Sequence, residues 1–265
     1  MKPLVSIIIP VYNAEKTIEF TLNSIKKQTY DNIEVIVVND CSTDNSFEII
    51  NNFNNNFKNY KIISNSINKM ALYNRIEGVR QSKGDLITFI DADDWFISNA
   101  IEVLVNNFLK TNADMVIGSW KLTFDRFGIF TTRHWNVYYE KPIEGLYDNE
   151  KINQAFEFSY FGIIKLPVIN WARLHKRSLF DEVLLTDDFP EIIKSNDLFM
   201  NLLIHNHVNS ISFIKDLTVM YRYGGGSQKA SVRYLKDINE IYLLRKKMLI
   251  NNPKKDEAYK YIMPE

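Results

Sequence analysis

The feature that most constrains the fold is a series of short, almost continuously apolar runs with a helical pattern between each pair. Residues 4–11 read LVSIIIPV and residues 33–38 read IEVIVV. Runs this short and this apolar suit strands covered on both faces, the mark of a parallel sheet. Between them, Ile18, Leu22 and Ile25 recur at helical spacing within residues 17–28. Ser42-Thr43-Asp44 then offers N-caps for a helix through Phe47 and Ile50, since short polar side chains satisfy the free N–H groups of a first turn. Residues 60–64 read as a third strand, residues 71–82 as a helix ended by Gly84, and residues 85–90 (DLITFI) as a fourth strand. Residues 98–111 place Ile101, Leu104, Val105, Phe108 and Leu109 on one helical face, ahead of a fifth strand at 114–120. Strand-helix-strand alternation with short links implies right-handed crossovers. The expected class is therefore α/β, a mostly parallel central sheet with helices on both faces.

With 46% hydrophobic residues, the 265-residue chain can bury the core such a sheet needs. Lys+Arg and Asp+Glu both number 32, so no net field exists to hold a nucleic-acid backbone, and none is expected as a partner. One cysteine, Cys41, forms neither an internal disulfide nor a thiolate zinc site. Met1-Lys2-Pro3 and the run after it lack the pattern of a signal peptide. No segment approaches the roughly 20 apolar residues of a membrane span. A cytoplasmic protein is the expectation.

Ligands of open α/β sheets bind outside the carboxyl ends of the strands. That rule selects the turns after Val11 and Val38 and the cluster Asp91-Ala92-Asp93-Asp94 after Ile90. Carboxylates one residue apart at a strand end can share a hard divalent cation with diphosphate oxygens. The bland alternative is an acidic turn that caps the next helix. Asp40 ends the second strand, where a carboxylate accepts from a pyrimidine N–H or a ribose hydroxyl, or simply forms an Asx turn toward Ser42. His205 and His207 point to different sides of a helix, so they make no joint metal site. Gly224-Gly225-Gly226 lacks the spacing of a dinucleotide fingerprint.

Val5-Ser6-Ile7-Ile8-Ile9-Pro10-Val11-Tyr12-Asn13-Ala14-Glu15, then Gln28-Thr29-Tyr30, then Val37-Val38-Asn39-Asp40-Cys41-Ser42-Thr43-Asp44, resembles the opening of family-two inverting glycosyltransferases. Lys83-Gly84-Asp85, Phe89 and Ile90-Asp91-Ala92-Asp93-Asp94 continue the resemblance, which covers residues 4–117. It implies the Rossmann-like GT-A fold, a nucleotide-sugar donor, Mn2+ or Mg2+ as cofactor, and inversion at the anomeric carbon. Carried over residue by residue, it implies that Pro10, Tyr12, Asn13 and Glu15 wrap the nucleoside and that Asp40 pairs with uracil. It implies that Asn68 and Arg75 flank the nucleotide. Asp91, Ala92 and Asp93 match the Asp-x-Asp motif of ribose and metal ligation, with Asp93 the direct metal ligand. Two positions depart from the pattern: Met70 stands where a glycine is usual, and Asn74-Arg75-Ile76 where Ala-Arg-Asn is usual.

The second half is similar to the family more loosely. Trp171-Ala172-Arg173-Leu174-His175-Lys176 looks like the segment before the acceptor site, and Asn196-Asp197-Leu198-Phe199 like the stretch that carries the catalytic base. The usual Glu-Asp there reads Asn196-Asp197. Asp197 is the candidate base, because single displacement needs a carboxylate to take the acceptor proton. Its rival role is N-cap of a helix over 198–204, and Asp187 and Asp188 are rival bases. Trp171, His175, Arg222 and Ser227 are acceptor or diphosphate candidates. Residues 210–214 and 217–223 read as two strands, residues 124–160 as irregular with a helix near 150–159, and residues 235–261 as a partly basic helical tail. The organisation expected is a nucleotide-sugar half at 1–117, an acceptor and base half at 118–228, and a tail at 229–265.

The function that follows is transfer of a sugar from a UDP-sugar to a hydroxyl of a glycan or lipid-linked acceptor, in bacterial surface polysaccharide or lipopolysaccharide synthesis. The basic tail adds an expected weak contact with the inner membrane face. Two alternatives differ in class. A non-catalytic nucleotide-sugar-binding subunit fits the departures at Met70, Ile76 and Asn196. A sugar-nucleotide pyrophosphorylase would need a glycine-rich phosphate loop after the first strand, and residues 11–16 hold no glycine.

Overall fold

The computed structural model describes residues 2–126, 129–133, 145–148, 170–185, 189, 196–204, 207–223 and 243. The first half follows the sequence pattern closely. Strand β1 (Val5–Val11) leads to helix α1 (Ile18–Lys26), β2 (Ile33–Asn39), α2 (Ser46–Asn52), β3 (Tyr60–Ser64), α3 (Met70–Arg80) and β4 (Leu86–Phe89). A two-residue strand β5 (Trp95–Phe96) and α4 (Ala100–Thr111) follow. Then come β6 (Met115–Arg126), β7 (Ile129–Arg133), β8 (Gly145–Asp148), β9 (Arg173–Lys176), helix α5 (Asn196–Ile204) and β10 (Ser210–Tyr223).

The strands form one ten-stranded sheet in the order β3-β2-β1-β4-β9-β6-β10-β5, with β7 on β6 and β8 on β10. Strands β1 to β4 are mutually parallel where they pair, and β10 runs parallel to β6. Strand β9 is antiparallel to both β4 and β6, so it joins two parallel blocks. Residues 117 and 118 lie inside β6, and both halves of the chain therefore share that strand.

Alternation along β1 explains the two layers. Val5, Ile7, Ile9 and Val11 pack with Ile18, Leu22 and Ile25 of α1, Ile50 of α2 and Ile101, Leu104 and Val105 of α4. Ile8 points to the other face, against Leu72, Ile76 and Val79 of α3, in the layer that also takes Phe199, Met200 and Leu202 of α5. Because both faces are covered, the strands carry apolar residues at successive positions. Gly78 lets α3 approach: a Cβ there would lie 2.3 Å from Ile8 Cγ2.

Three expectations need correction. Gly84 does not end α3, which stops at Arg80 with Gln81 at its C-cap. Gly84 instead presses on β1, where a Cβ would lie 2.8 Å from the Leu4 carbonyl oxygen, and its N–H donates to Ser6 Oγ and Glu34 Oε1. The two strands expected at 210–214 and 217–223 are one strand with register shifts between Phe213 and Val219. Asp197 lies inside the first turn of α5, which starts at Asn196, and so it is not an N-cap ahead of the helix. The helix expected at 150–159 and the tail at 235–261 lie outside the described residues, Leu243 excepted.

Candidate active site

The loops after β1 and β2 are knitted into one surface. Asn13, at φ 48°, and Cys41, at φ 58°, both take the left-handed conformation that turns a chain sharply after a strand. Asn13 N–H donates to Ser42 Oγ and Asn13 Oδ1 accepts from Thr43 N–H at 2.8 Å. Ala14 N–H donates to Ser46 Oγ, Glu15 N–H to Asp44 Oδ2, and Glu15 Oε2 accepts from Asn45 N–H. The expected nucleoside loop therefore stands as a rim: Pro10 lies one residue before the end of β1, opposite Val38, and Tyr12 projects with 52% exposure.

Asp40 differs from the free sheet-edge carboxylate expected from sequence. It is 1% exposed. Its Oδ1 accepts from Lys69 N–H at 2.8 Å and Asn65 Nδ2 at 2.9 Å, and its Oδ2 accepts from Met70 N–H at 2.9 Å. Asn68 Oδ1 also accepts from Met70 N–H, at 3.1 Å. Met70 sits at φ 69°, in the region that favours glycine, so the loop keeps its left-handed turn although the residue is not glycine. The departure at position 70 is absorbed by these hydrogen bonds.

The acidic turn follows β4. Thr21 Oγ1 of α1 donates to the carbonyls of Ala92 and Asp94, which fixes the turn from below. Asp94 is fully buried, and its Oδ1 accepts from Arg222 N–H at 2.8 Å. The Arg222 guanidinium donates from Nε to the Asp93 carbonyl and lies over the rings of Trp95 and Phe20. Arg222 is thus beside the acidic turn, as expected. Burial and the neighbouring Asp91 charge push the Asp93 carboxyl up to about 6. Burial, then the charges of Asp93 and Asp91, push Asp94 well above the usual carboxylate range, and its Oδ2 is buried without a partner among the described residues.

Arg75 joins this turn to the second half of the chain. The residue is 2% exposed. Its Nη2 lies 2.5 Å from Asp91 Oδ1, and its Nη1 lies 3.1 Å from Asp197 Oδ1 and donates to Asn196 Oδ1. Burial pushes the Asp197 carboxyl up, with Arg75 pulling the other way and Asp91 adding to the rise. Asn170 Nδ2 donates to Asp197 Oδ1 at 2.9 Å. Asn170, Asn201 and Arg173 were not legible as site members, because buried amides and a strand arginine carry no spacing signal.

Two candidates lie elsewhere. His175 sits on β9 opposite Ile87, near the start of β4, while the acidic turn follows the end of β4. It is 1% exposed, edge-on to Phe89 and Phe180, and burial drives its pKa down to about 3. Such a neutral core imidazole cannot reach a diphosphate or an acceptor. Trp171 is 4% exposed, stacked on Tyr221 and edge-on to Trp120, so its ring is a core element and not an acceptor platform. Ser227, Asp187, Asp188 and His205 lie outside the described residues.

The acidic turn offers hard oxygen donors, which suit Mg2+ or Mn2+. Among the described residues no three or more His, Cys, Asp or Glu side chains gather as a metal site. Asp91 and Asp93 are two such donors, too few to fill a cation's coordination without oxygens from a ligand, and burial first, then the Asp91 charge, raises the Asp93 carboxyl while Arg222 pulls it down.

Residues 6–188 match the sequence model of Glycosyl transferase family 2. The chain belongs to this family. The family-2 chain is 29% identical over 228 residues to Glycosyltransferase GlyA of Streptococcus pneumoniae serotype 4, spanning 84% of this chain but 31% of GlyA. It is 36% identical over 119 residues to UDP-Glc:alpha-D-GlcNAc-diphosphoundecaprenol beta-1,3-glucosyltransferase WfgD of Escherichia coli, spanning 45% of this chain and 46% of WfgD. The crystal structure of S. aureus TarS 1-349 in complex with UDP superposes with a TM-score of 0.75 at 20% identity, covering 98% of this chain and 69% of that one. The fold is therefore the GT-A fold of family 2, a mixed α/β domain around a mostly parallel sheet.

Proposed function

We propose that the chain transfers a sugar from a UDP-sugar to a hydroxyl of a glycan or lipid-linked saccharide, with inversion, in the building of a bacterial surface glycan such as lipopolysaccharide. Family membership supports a glycosyltransferase, and the UDP-glucose donor and diphosphoundecaprenol acceptor named for WfgD support this donor and acceptor class. The observation that carries the reading is the double ion pair of Arg75. It sets the strand-end carboxylate Asp91 and the second-half carboxylate Asp197 within the span of one guanidinium.

In this mechanism the rim of Pro10, Tyr12, Asn13 and Glu15 receives the nucleoside, and Asp40 holds the 65–70 loop beside it. Asp91 and Asp93 would hold Mn2+ or Mg2+, which when bound neutralises charge on a departing diphosphate. Asp197 accepts the proton of the acceptor hydroxyl as its oxygen bonds to the anomeric carbon. The bond from that carbon to the phosphate oxygen breaks in the same displacement, and UDP leaves with the electron pair. The raised carboxyl of Asp197 makes it a better proton acceptor than an ordinary aspartate.

Among the described residues no helix is long and apolar enough to cross a membrane. Action at the cytoplasmic face, with weak electrostatic help from residues 235–261, belongs to the same proposal. Sedimentation with anionic liposomes at low and high salt tests that part, and no association at low salt removes it. The reaction itself is tested by incubating the chain with a panel of UDP-sugars and Mn2+, with UDP release as readout. Release from at least one sugar, abolished by EDTA, is expected. A chain that hydrolyses or transfers none of them overturns the reading.

A further inference from the structure

We propose that Asn170 and Asn201 are positioning residues, which aim a single oxygen of Asp197 at the acceptor hydroxyl. The inference rests on the reading of Asp197 as the base. A carboxylate has two oxygens, and a base that can use either loses orientation. Here the two are not equivalent. Oδ1 lies 3.1 Å from Arg75 Nη1 in an ion pair and accepts from Asn170 Nδ2 at 2.9 Å. Oδ2 has no partner among the described residues, and the side chain keeps 25% exposure. The incoming proton therefore has one destination, Oδ2.

The direction of this arrangement is set by a buried guanidinium at the far end. Arg173 on β9 is 3% exposed and can only donate. Its Nη1 is bonded to Asn201 Oδ1, which fixes the Asn201 amide with its nitrogen pointing away. That nitrogen donates to Asn170 Oδ1 at 3.0 Å and to the Asp197 carbonyl, one turn back in α5, at 2.7 Å. Asn170 Oδ1 being an acceptor, its nitrogen must face Asp197. A chain of amides normally permits either orientation. Anchored on a group with no acceptor, this one permits only the orientation that presents a donor to Oδ1. Asn170 and Asn201 are 1% and 2% exposed, so water does not substitute readily for either amide. The same bonds tie the first turn of α5 to the segment leading into β9, and so hold the carboxylate in place.

The test compares Asn170→Asp, Asn170→Ala and Asp197→Asn with wild type, reading UDP release from UDP-glucose and UDP-N-acetylglucosamine with Mn2+. Asn170→Asp keeps the side-chain shape and replaces the donor with an acceptor. Asn170→Ala removes the donor without adding charge, and covers the case in which the first variant does not fold. Affinity for UDP and thermal unfolding are measured on each. Asp197→Asn should lower kcat by about a thousandfold. Both Asn170 variants should lower kcat by about tenfold to a hundredfold with KM and UDP affinity within about twofold. A merely structural asparagine would change the folded fraction and leave kcat per folded molecule intact. Full kcat in Asn170→Ala beside an inactive Asp197→Asn overturns the positioning role alone. Full kcat in Asp197→Asn, or a wild type that turns over no sugar of the wider UDP-sugar panel, overturns the base reading and this inference with it.

Discussion

Arg75 Nη1 lies 3.1 Å from Asp197 Oδ1, and the same guanidinium reaches Asp91 Oδ1 at 2.5 Å. One cation on α3 thereby sets the distance between the acidic turn after β4 and the first turn of α5. Removing it leaves two carboxylates facing each other near Asp93. Arg75→Met should destabilise the fold by about 3 kcal/mol, the low end for a broken buried pair, because water reaches both carboxylates in part. Arg75→Lys should lose less, since it keeps the charge but replaces a two-pronged donor with a point. Urea unfolding checks both, and equal stability of wild type and Arg75→Met would contradict the clasp.

Asp40→Ala should cost stability as well as nucleotide affinity. The half-buried Lys69 N–H would lose its acceptor, at about 1–3 kcal/mol, and the Met70 N–H would keep only Asn68 Oδ1. Thermal unfolding is expected to fall clearly before UDP binding is considered. Stability unchanged in the variant, with UDP affinity lost, would return Asp40 to a purely nucleobase-reading role.

Met70→Gly is expected to be neutral or stabilising, by up to about 1 kcal/mol, because left-handed backbone costs a non-glycine residue roughly 1–2 kcal/mol while glycine adds unfolded-state entropy. A loss beyond that range in urea unfolding would mean that the Met70 side chain contributes packing that outweighs its backbone strain.

His175 links stability to acidity. Its folded pKa is about 3, against an unfolded value near 6.5. Between those values the unfolded chain binds the extra proton, so stability is full above about pH 6.5 and falls as pH drops toward 3. His175→Phe cannot titrate and fits among Phe89 and Phe180. It should flatten the loss of stability between pH 6.5 and 4, by up to about 1.4 kcal/mol per pH unit. Unfolding curves at three pH values decide it, and identical slopes in the two proteins would place the acid sensitivity elsewhere.

The first half was legible because its strands are buried on both faces, which writes them as apolar runs, and because its helices each face one layer. Strands β5 and β9 were not, since two and four residues carry too little pattern to read. Asp91 and Asp93 were singled out from where the fourth strand ends and Arg75 from the family resemblance, and the structure brings Arg75 against Asp91. The Asp197 surroundings were missed, because Asn170, Asn201 and Arg173 act through hydrogen bonds that depend on β9 running antiparallel beside β4. His175 misled for the same reason: only the pairing with Ile87 shows that it sits at the start of β4 and in the core. Asp94 looked like one acid among three, and its buried bond to the Arg222 backbone is what ties β10 to the turn.

The most direct measurement of the central claim, that the turn Asp91-Ala92-Asp93 seats a metal-bound nucleoside diphosphate, is calorimetric titration of UDP into wild type and Asp93→Ala, with Mn2+ and with EDTA. Wild type should bind UDP far more tightly with manganese, and Asp93→Ala should show no such gain while keeping its thermal unfolding temperature. Equal UDP affinity in both proteins, or wild-type binding indifferent to manganese, would contradict the metal site and the role given to the acidic turn.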